Sequence, residues 1–337
     1  VAIDQVLRRD KASARARPPC GAAPICHGDA VPDQTAPRSL SPRLAEALAG
    51  VSGILVTPFD AEDRPAPERL APIVARAVAA GIGALTVNGN TSEFYGLTFE
   101  EARRMQAAVP EIVGGRAVVV AGVGRSVAEA AQLARAAKQD GCAAIMIHQP
   151  PDPFRAPRGV AAYVARVAEA AGGLPVLLYL RDDGGGLEAI AALCDIPGVV
   201  GVKWATPNLM NLAAARRARP DLAWICGLAE PWAPPMTALG ARGFTSGVIN
   251  VAPHLSMRVL RALQQGDMDG ANAAIAAIAP FEALRAAEGN GANVSVVKAA
   301  LALAGEAVGP ARPPAAWPLP PAALAALKDV MAAWPRD

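Results

Sequence analysis

The chain has 337 residues, 53% of them hydrophobic and 18% charged, with a formal net charge of +2. This near-balance, with only 4% aromatic residues, gives no basic stripe and no stacking platform, which excludes a nucleic-acid partner. No apolar run approaches a membrane span, and the length suits one large domain.

Residues 1–40 are rich in Pro, Arg and Ala and carry no periodicity, so a disordered extension is predicted there. They contain no continuous apolar stretch of the kind a secretory signal needs, and Asp4, Asp10, Asp29 and Asp33 argue against a transit peptide. Leu40–Ala49 reads as a short leading helix. Eight strand-like runs follow. They are Gly53–Thr57, Ala84–Asn88, Ala117–Gly122, Ala143–Ile147, Pro175–Tyr179, Val199–Thr206, Ala223–Gly227 and Gly243–Ile249. Their Val, Ile and Ala content without polar alternation marks strands buried on both faces. Helix-like segments lie between them, clearest at Pro67–Ala80, Thr98–Val113, Ser126–Asp140 and Pro157–Ala171. Thr98 and Ser126 fit N-caps, each with a glutamate three residues on. Eight such alternations predict an α/β fold, a (β/α)8 barrel with additional C-terminal helices. The barrel core is placed at residues 41–252. The last barrel helix and a helical region fill 253–337, with a proline-rich connector at Pro310–Pro321.

The cysteines Cys20, Cys26, Cys142, Cys194 and Cys226 show no CxxC spacing. They read as buried thiols of a reducing, cytoplasmic compartment. His27, His148 and His254 lie far apart with no HExxH, so no metal site is predicted and a metal-dependent aldolase lacks its ligands.

Barrel chemistry sits at the carboxyl ends of the strands. There the sixth run carries Lys203 in an otherwise apolar setting. Burial disfavours its charged form, and a neutral amine attacks carbonyls to form a Schiff base. A strand-end lysine also commonly snorkels to solvent or pairs with a carboxylate. The same rim holds Tyr179 and the turn Gly89-Asn90-Thr91-Ser92-Glu93. An amine, a phenol and a hydroxyl-rich turn suit a 2-oxo acid. The amine takes the ketone, the turn holds the carboxylate and the phenol moves protons. His148 reads as structural or as a substitute acid or base, and Glu93 as a holder of local structure. Cys226 and Trp204 read as packing.

These residues resemble the dihydrodipicolinate synthase / N-acetylneuraminate lyase family of Schiff-base lyases. The likeness runs from about Leu44 to the C-terminus. It rests on Thr57-Pro58-Phe59, the Gly89–Glu93 turn, Tyr179, Gly201-Val202-Lys203, Ser246–Ile249 and the stretch Asn293–Leu301. The resemblance implies an imine on Lys203 and a proton shuttle at Tyr179. It also implies a substrate site of Asn90, Thr91, Ser92, Arg181, Gly227 and Ile249, no cofactor, and a homotetramer or homodimer. Asn90 stands where the synthase has a relay threonine, Leu180 follows Tyr179 where the family has Asn, and no tyrosine follows the fourth strand. These departures argue against the synthase reaction itself. Tyr179-Leu180-Arg181 and Glu93–Thr98 are nearer the 5-dehydro-4-deoxyglucarate dehydratase branch, in which Arg181 would hold a distal carboxylate or hydroxyl. The alternative is a non-catalytic barrel that binds a small acid.

Overall fold

A computed structural model describes residues 40–335. The extension predicted over residues 1–40, apart from Leu40, lies outside the described residues, as do Cys20, Cys26 and His27. Eight parallel strands close into a barrel in sequence order. They are β1 (Val51–Ile54), β2 (Ala84–Val87), β3 (Val118–Val123), β4 (Ala144–His148), β5 (Val176–Leu180), β6 (Val199–Trp204), β7 (Ala223–Cys226) and β8 (Gly243–Ser246). The helices are α1 (Pro42–Leu48), α2 (Ala71–Ala80), α3 (Phe99–Val113), α4 (Val127–Gln139), α5 (Pro157–Ala170) and α6 (Gly186–Cys194). They continue with α7 (Leu209–Ala218), α8 (Ala233–Ala238), α9 (Pro253–Gln264), α10 (Met268–Ala286), α11 (Asn293–Leu303) and α12 (Pro321–Ala332). None of them is long and apolar enough to cross a membrane.

The apolar strands are legible because alternate residues serve two different cores. In β5, Val176, Leu178 and Leu180 face the helices, whereas Leu177 and Tyr179 face the barrel interior. The interior is filled by Val118, Val120, Met146, Leu177 and Ile225, with Leu44 and Leu48 of α1 packed against them. Each such side chain contributes roughly 1.5–3 kcal/mol by leaving water. Thr98 and Ser126 cap α3 and α4 in full capping boxes with Glu101 and Glu129.

Two strand boundaries differ from expectation for identifiable reasons. The first strand is Val51–Ile54, because the N–H of Val56 donates to Asn250 Oδ1 at 3.1 Å and leaves the ladder. Thr57-Pro58-Phe59 is therefore loop. The eighth strand stops at Ser246, whose hydroxyl accepts the Ile249 N–H at 3.3 Å and folds Val248–Asn250 into a 3₁₀ turn. The leading helix is shorter than Leu40–Ala49, since Ser41 caps it with a bond from the Leu44 N–H at 3.3 Å.

After β8, α9 returns along the barrel beside α2, α10 packs on α9 and α11, and α12 packs on α10 and α11. Phe281 of α10 meets Trp334 edge to face at 5.4 Å, which anchors the chain end on this layer. Cys142, Cys194 and Cys226 are buried thiols.

Candidate active site

The register of the parallel strands sets the site. His148 on β4 pairs with Tyr179 on β5, Tyr179 with Lys203 on β6, and Lys203 with Ile225 on β7. Partners in a parallel ladder project to the same side, so the phenol and the amine meet by construction. The Lys203 ammonium nitrogen lies 4.1 Å from the Tyr179 ring centre, and both residues are only 5% exposed. Gly227 makes room for this lysine. A Cβ there would stand 3.0 Å from Lys203 Cγ and 2.7 Å from the Ala205 Cβ.

Burial pushes the Lys203 amine down to about 7; nearby Cys226 opposes the shift, and the positive charge of Arg181 adds to it. Burial pushes the Tyr179 phenol up to about 12. At neutral pH a large fraction of the lysine is therefore a free amine, beside a phenol that keeps its proton.

The Gly89–Glu93 turn is built by internal hydrogen bonds. Ser92 Oγ donates to Leu55 O at 2.6 Å and accepts the Gly89 N–H at 3.0 Å. Thr57 Oγ1 donates to Ser92 O at 2.7 Å. The turn thereby presents Asn90 and Thr91 to the cavity wall. Asn90 Nδ2 donates to the Tyr179 hydroxyl at 3.0 Å. That bond occupies a lone pair of the phenol oxygen and leaves its O–H free to turn toward the cavity. Among the described residues, the N–H groups of Asn90 and Thr91 reach no backbone acceptor.

Lys203, Tyr179, Asn90, Thr91, Arg181 and Gly227 all line one cavity of about 840 Å³. Two predicted substrate residues do not. Ser92 is 1% exposed, and its hydroxyl is spent on Leu55 and Gly89, so it shapes the turn from behind. Ile249 is fully buried under β1, where a Cβ on Gly53 would lie 2.8 Å from it; Ile54 lines the cavity in its place. His148 is buried and pushed down to about 3 by desolvation. It stands 2.8 Å from Asn88 O and stacks on Phe94 at 4.6 Å, outside the cavity wall. Its ring is a neutral support under Tyr179, 5.5 Å away.

Sequence reasoning missed Tyr95. It follows the turn in a short 3₁₀ segment, lies edge-on to His148 at 5.5 Å and places a second phenol on the cavity wall. Its signal was the aromatic pair Phe94-Tyr95 directly after the turn. Residues of α10 and α11 on the far wall, Glu282, Arg285 and Asn293, were also missed, because nothing local marks them as facing the barrel mouth. Glu93 does hold local structure. It is 8% exposed, pairs with the fully buried Lys298 of α11 and accepts the Arg312 N–H at 2.7 Å. Among the described residues, no three His, Cys, Asp or Glu side chains cluster as metal ligands would.

The sequence model of the Dihydrodipicolinate synthetase family matches residues 47–332. A 4-hydroxy-tetrahydrodipicolinate synthase of Parasynechococcus marenigrum is 35% identical over 89% of this chain and 98% of its own length. A probable 5-dehydro-4-deoxyglucarate dehydratase of Streptomyces griseus is 33% identical over 80% of this chain and 88% of its own length. The crystal structure of a dihydrodipicolinate synthase from Bacillus clausii superposes with a TM-score of 0.82 at 37% identity, covering 86% of this chain and 99% of that one. With the match spanning nearly all of the described barrel and its C-terminal helices, the chain belongs to the dihydrodipicolinate synthetase family and is an enzyme of the lyase class.

Proposed function

We propose that this lyase acts on a 2-oxo acid through an imine on Lys203. The observation that carries the reading is the buried, depressed amine of Lys203, opening on the same cavity as the Tyr179 phenol. The neutral Nζ attacks the C2 carbonyl, and the resulting carbinolamine loses its hydroxyl as water when Tyr179 supplies a proton. The imine so formed is protonated and draws electrons from the C3–C4 bond, as the C4 hydroxyl gives up its proton and becomes a carbonyl, or it takes up the pair left by loss of a C3 proton, and the enamine then expels the C4 hydroxyl, which leaves with a proton as water. Aldol cleavage and dehydration therefore share this intermediate. Tyr179 accepts a proton back from the substrate hydroxyl or returns it to the enamine carbon. Thr91 and the unpaired N–H groups of Asn90 and Thr91 suit the substrate carboxylate.

Asn90 bears on which reaction is catalysed. An amide donates and accepts hydrogen bonds but does not pass a proton along by hydroxyl exchange. Tyr179 must then exchange its proton with substrate or with cavity water. This favours an aldolase or a sugar-acid dehydratase over the synthase reaction. Arg181, on the cavity wall with no acidic partner among the described residues, suits a second carboxylate or a hydroxyl near the mouth. A non-catalytic acid-binding barrel has no support, because such a site gains nothing from a depressed amine. We take the working form to be a homotetramer or homodimer, for which light scattering after gel filtration is the check.

The deciding experiment is incubation with pyruvate and borohydride followed by peptide mass analysis. A reduced adduct on Lys203 is expected. Folded protein that gives no adduct with pyruvate or any sugar 2-oxo acid would defeat the proposal.

A further inference from the structure

Two strands, β3 and β4, stand between the turn after β2 and Tyr179 on β5. Among the described residues, neither strand places a side chain on the cavity wall. The space at their carboxyl ends is given instead to one buried side chain, His148. Its Nε2 lies 2.8 Å from Asn88 O and must be the donor, since a carbonyl only accepts. Its ring stacks on Phe94 at 4.6 Å and meets the Tyr179 ring edge-on at 5.5 Å. Asn88 precedes the turn that carries Asn90, and Phe94 follows it. Both partners of the 3.0 Å hydrogen bond from Asn90 Nδ2 to the Tyr179 hydroxyl therefore rest on one imidazole.

The slot is shaped around this ring. A Cβ on Gly122 would stand 2.9 Å from His148 Nε2 and 2.1 Å from Asn88 O. One on Gly124 would stand 3.0 Å from His148 Cβ and 3.0 Å from Phe94 Cε1. The end of β3 is thus glycine where the imidazole needs room. Asn88 takes a left-handed backbone at φ 58°, which asparagine tolerates better than most residues. Its side-chain amide donates to Ala102 O of α3 at 2.9 Å, so its peptide is held by α3 on one side and His148 on the other.

The imidazole is not connected to move protons. With its proton on Nε2, Nδ1 is bare, and that atom is buried without a hydrogen-bond partner among the described residues. A shuttle needs both ring nitrogens joined to a donor or acceptor. Burial holds the ring neutral, with its titration pushed down to about 3, so its hold on Asn88 is the same at every working pH. What the ring supplies is a fixed position.

We infer that His148 is a positioning residue: by tying the turn at Asn88 and backing the Tyr179 ring, it sets the Asn90–Tyr179 hydrogen bond and with it the direction in which the phenol presents its own proton. The chemistry of that phenol is the one proposed above, and in this respect the role rests on the imine reading. His148 acts through Asn90 and Tyr179 and touches no substrate. Small displacements of a proton donor from its productive geometry are costly to rate, so loss of the tie is read in proton transfer and not in binding.

The test uses the full chain with pyruvate as the probe. Borohydride trapping reads the imine, and exchange of the pyruvate methyl protons in heavy water reads the enamine. In the exchange a C3 proton passes from the protonated imine to the Tyr179 oxygen, the C3–H electron pair forms the enamine, and the phenol returns a deuteron to C3 after exchange with solvent. His148→Phe keeps a ring and loses the donor. Its trapping and exchange rates at saturating pyruvate are expected to fall about tenfold, the scale of one lost hydrogen bond, with the half-saturating concentration unchanged. In an Asn90→Ala background the same substitution should cost less than about twofold, since both changes break one contact. His148→Gln, whose amide reaches the place of Nε2, should recover most of the loss. An equal loss with and without Asn90, an equal loss in the glutamine variant, or a loss confined to half-saturation overturns the role. If the phenylalanine variant fails to fold, His148→Leu replaces it as the variant without a donor. If the native protein traps no 2-oxo acid, the imine reading fails, and crystal structures then decide His148. Asn90 Nδ2 standing clear of the phenol oxygen in the variant without a donor supports the role, and Nδ2 remaining within hydrogen-bond distance rejects it.

Discussion

At Lys203, one side chain combines a stability penalty with a chemical gain. Its amine stands near 7 against an ordinary 10.5 because desolvation opposes the charged form. Trapping with pyruvate should therefore accelerate as pH rises through about 7. Arg181→Gln, which removes a repelling charge, should move that midpoint upward; a pH series of trapping rates checks both. The same shift bears on folding. Between about 7 and 10.5 the unfolded chain holds a proton that the folded chain has released, so stability rises with pH across that window. Below it the penalty is complete. Lys203→Met should accordingly stabilise the protein at pH 7 and below, by up to a few kcal/mol, and flatten the alkaline slope, as read by urea denaturation. Tyr179→Phe removes the proposed proton donor but not the amine. Trapping should slow, since loss of water from the carbinolamine draws on the same proton, yet still label Lys203, while turnover falls about 10²–10⁴-fold in steady-state kinetics. Lys203, Tyr179, Thr91 and Asn90 were legible as candidates, and they line one cavity, because strand ends and a polar turn announce themselves locally. Ser92 and Ile249 do not line that cavity, because which way a side chain points from a turn depends on the neighbours that hold it.

At the scale of elements, the turn after β2 is held in place by the C-terminal segment. Glu93 sits at φ 58° and ψ 32°, a left-handed conformation that disfavours a side chain by about 1–3 kcal/mol. It persists because its carboxylate is gripped by Lys298 of α11 and by the backbone of Arg312. Lys298 also donates to Pro310 O at 2.8 Å and lies 4.2 Å over the Phe59 ring. Arg312 reaches on to Glu101 at 2.8 Å. Lys298→Met leaves Glu93 buried and uncompensated and should destabilise the fold by about 3–5 kcal/mol. The double variant E93Q/K298M should recover much of that loss, and denaturant midpoints of the three proteins decide it. The Asn293–Leu301 stretch was legible as a family feature, whereas its partnership with Glu93 was not, since some two hundred residues separate them in the chain.

At the largest scale, the described residues form a barrel whose cavity is completed by helices that follow it in sequence. Pro314 and Ala315 line the cavity, Leu327 of α12 is fully buried, and Phe281 of α10 packs on Trp334. A chain ending after Ala304 would strip Arg312 from Glu93 and Glu101 and uncover Phe59 and Phe281. It should lose cooperative unfolding along with imine trapping, which a thermal melt followed by trapping at low temperature would separate. A barrel that folds and traps normally without this segment would refute the structural role given to it.

The residue order by itself determined that eight buried strands alternate with capped helices, and that one of those strands ends in a lysine. Strand burial and helix capping depend on neighbours a few residues away, so they are written locally. Only the tertiary structure decided which groups share a cavity. It brought in Tyr95, Glu282, Arg285 and Asn293 and set Ile249 and His148 behind the wall. That outcome depends on barrel closure, strand register and the return of α10 and α11 across the mouth. These are contacts between distant segments, and no local pattern of residue types encodes them.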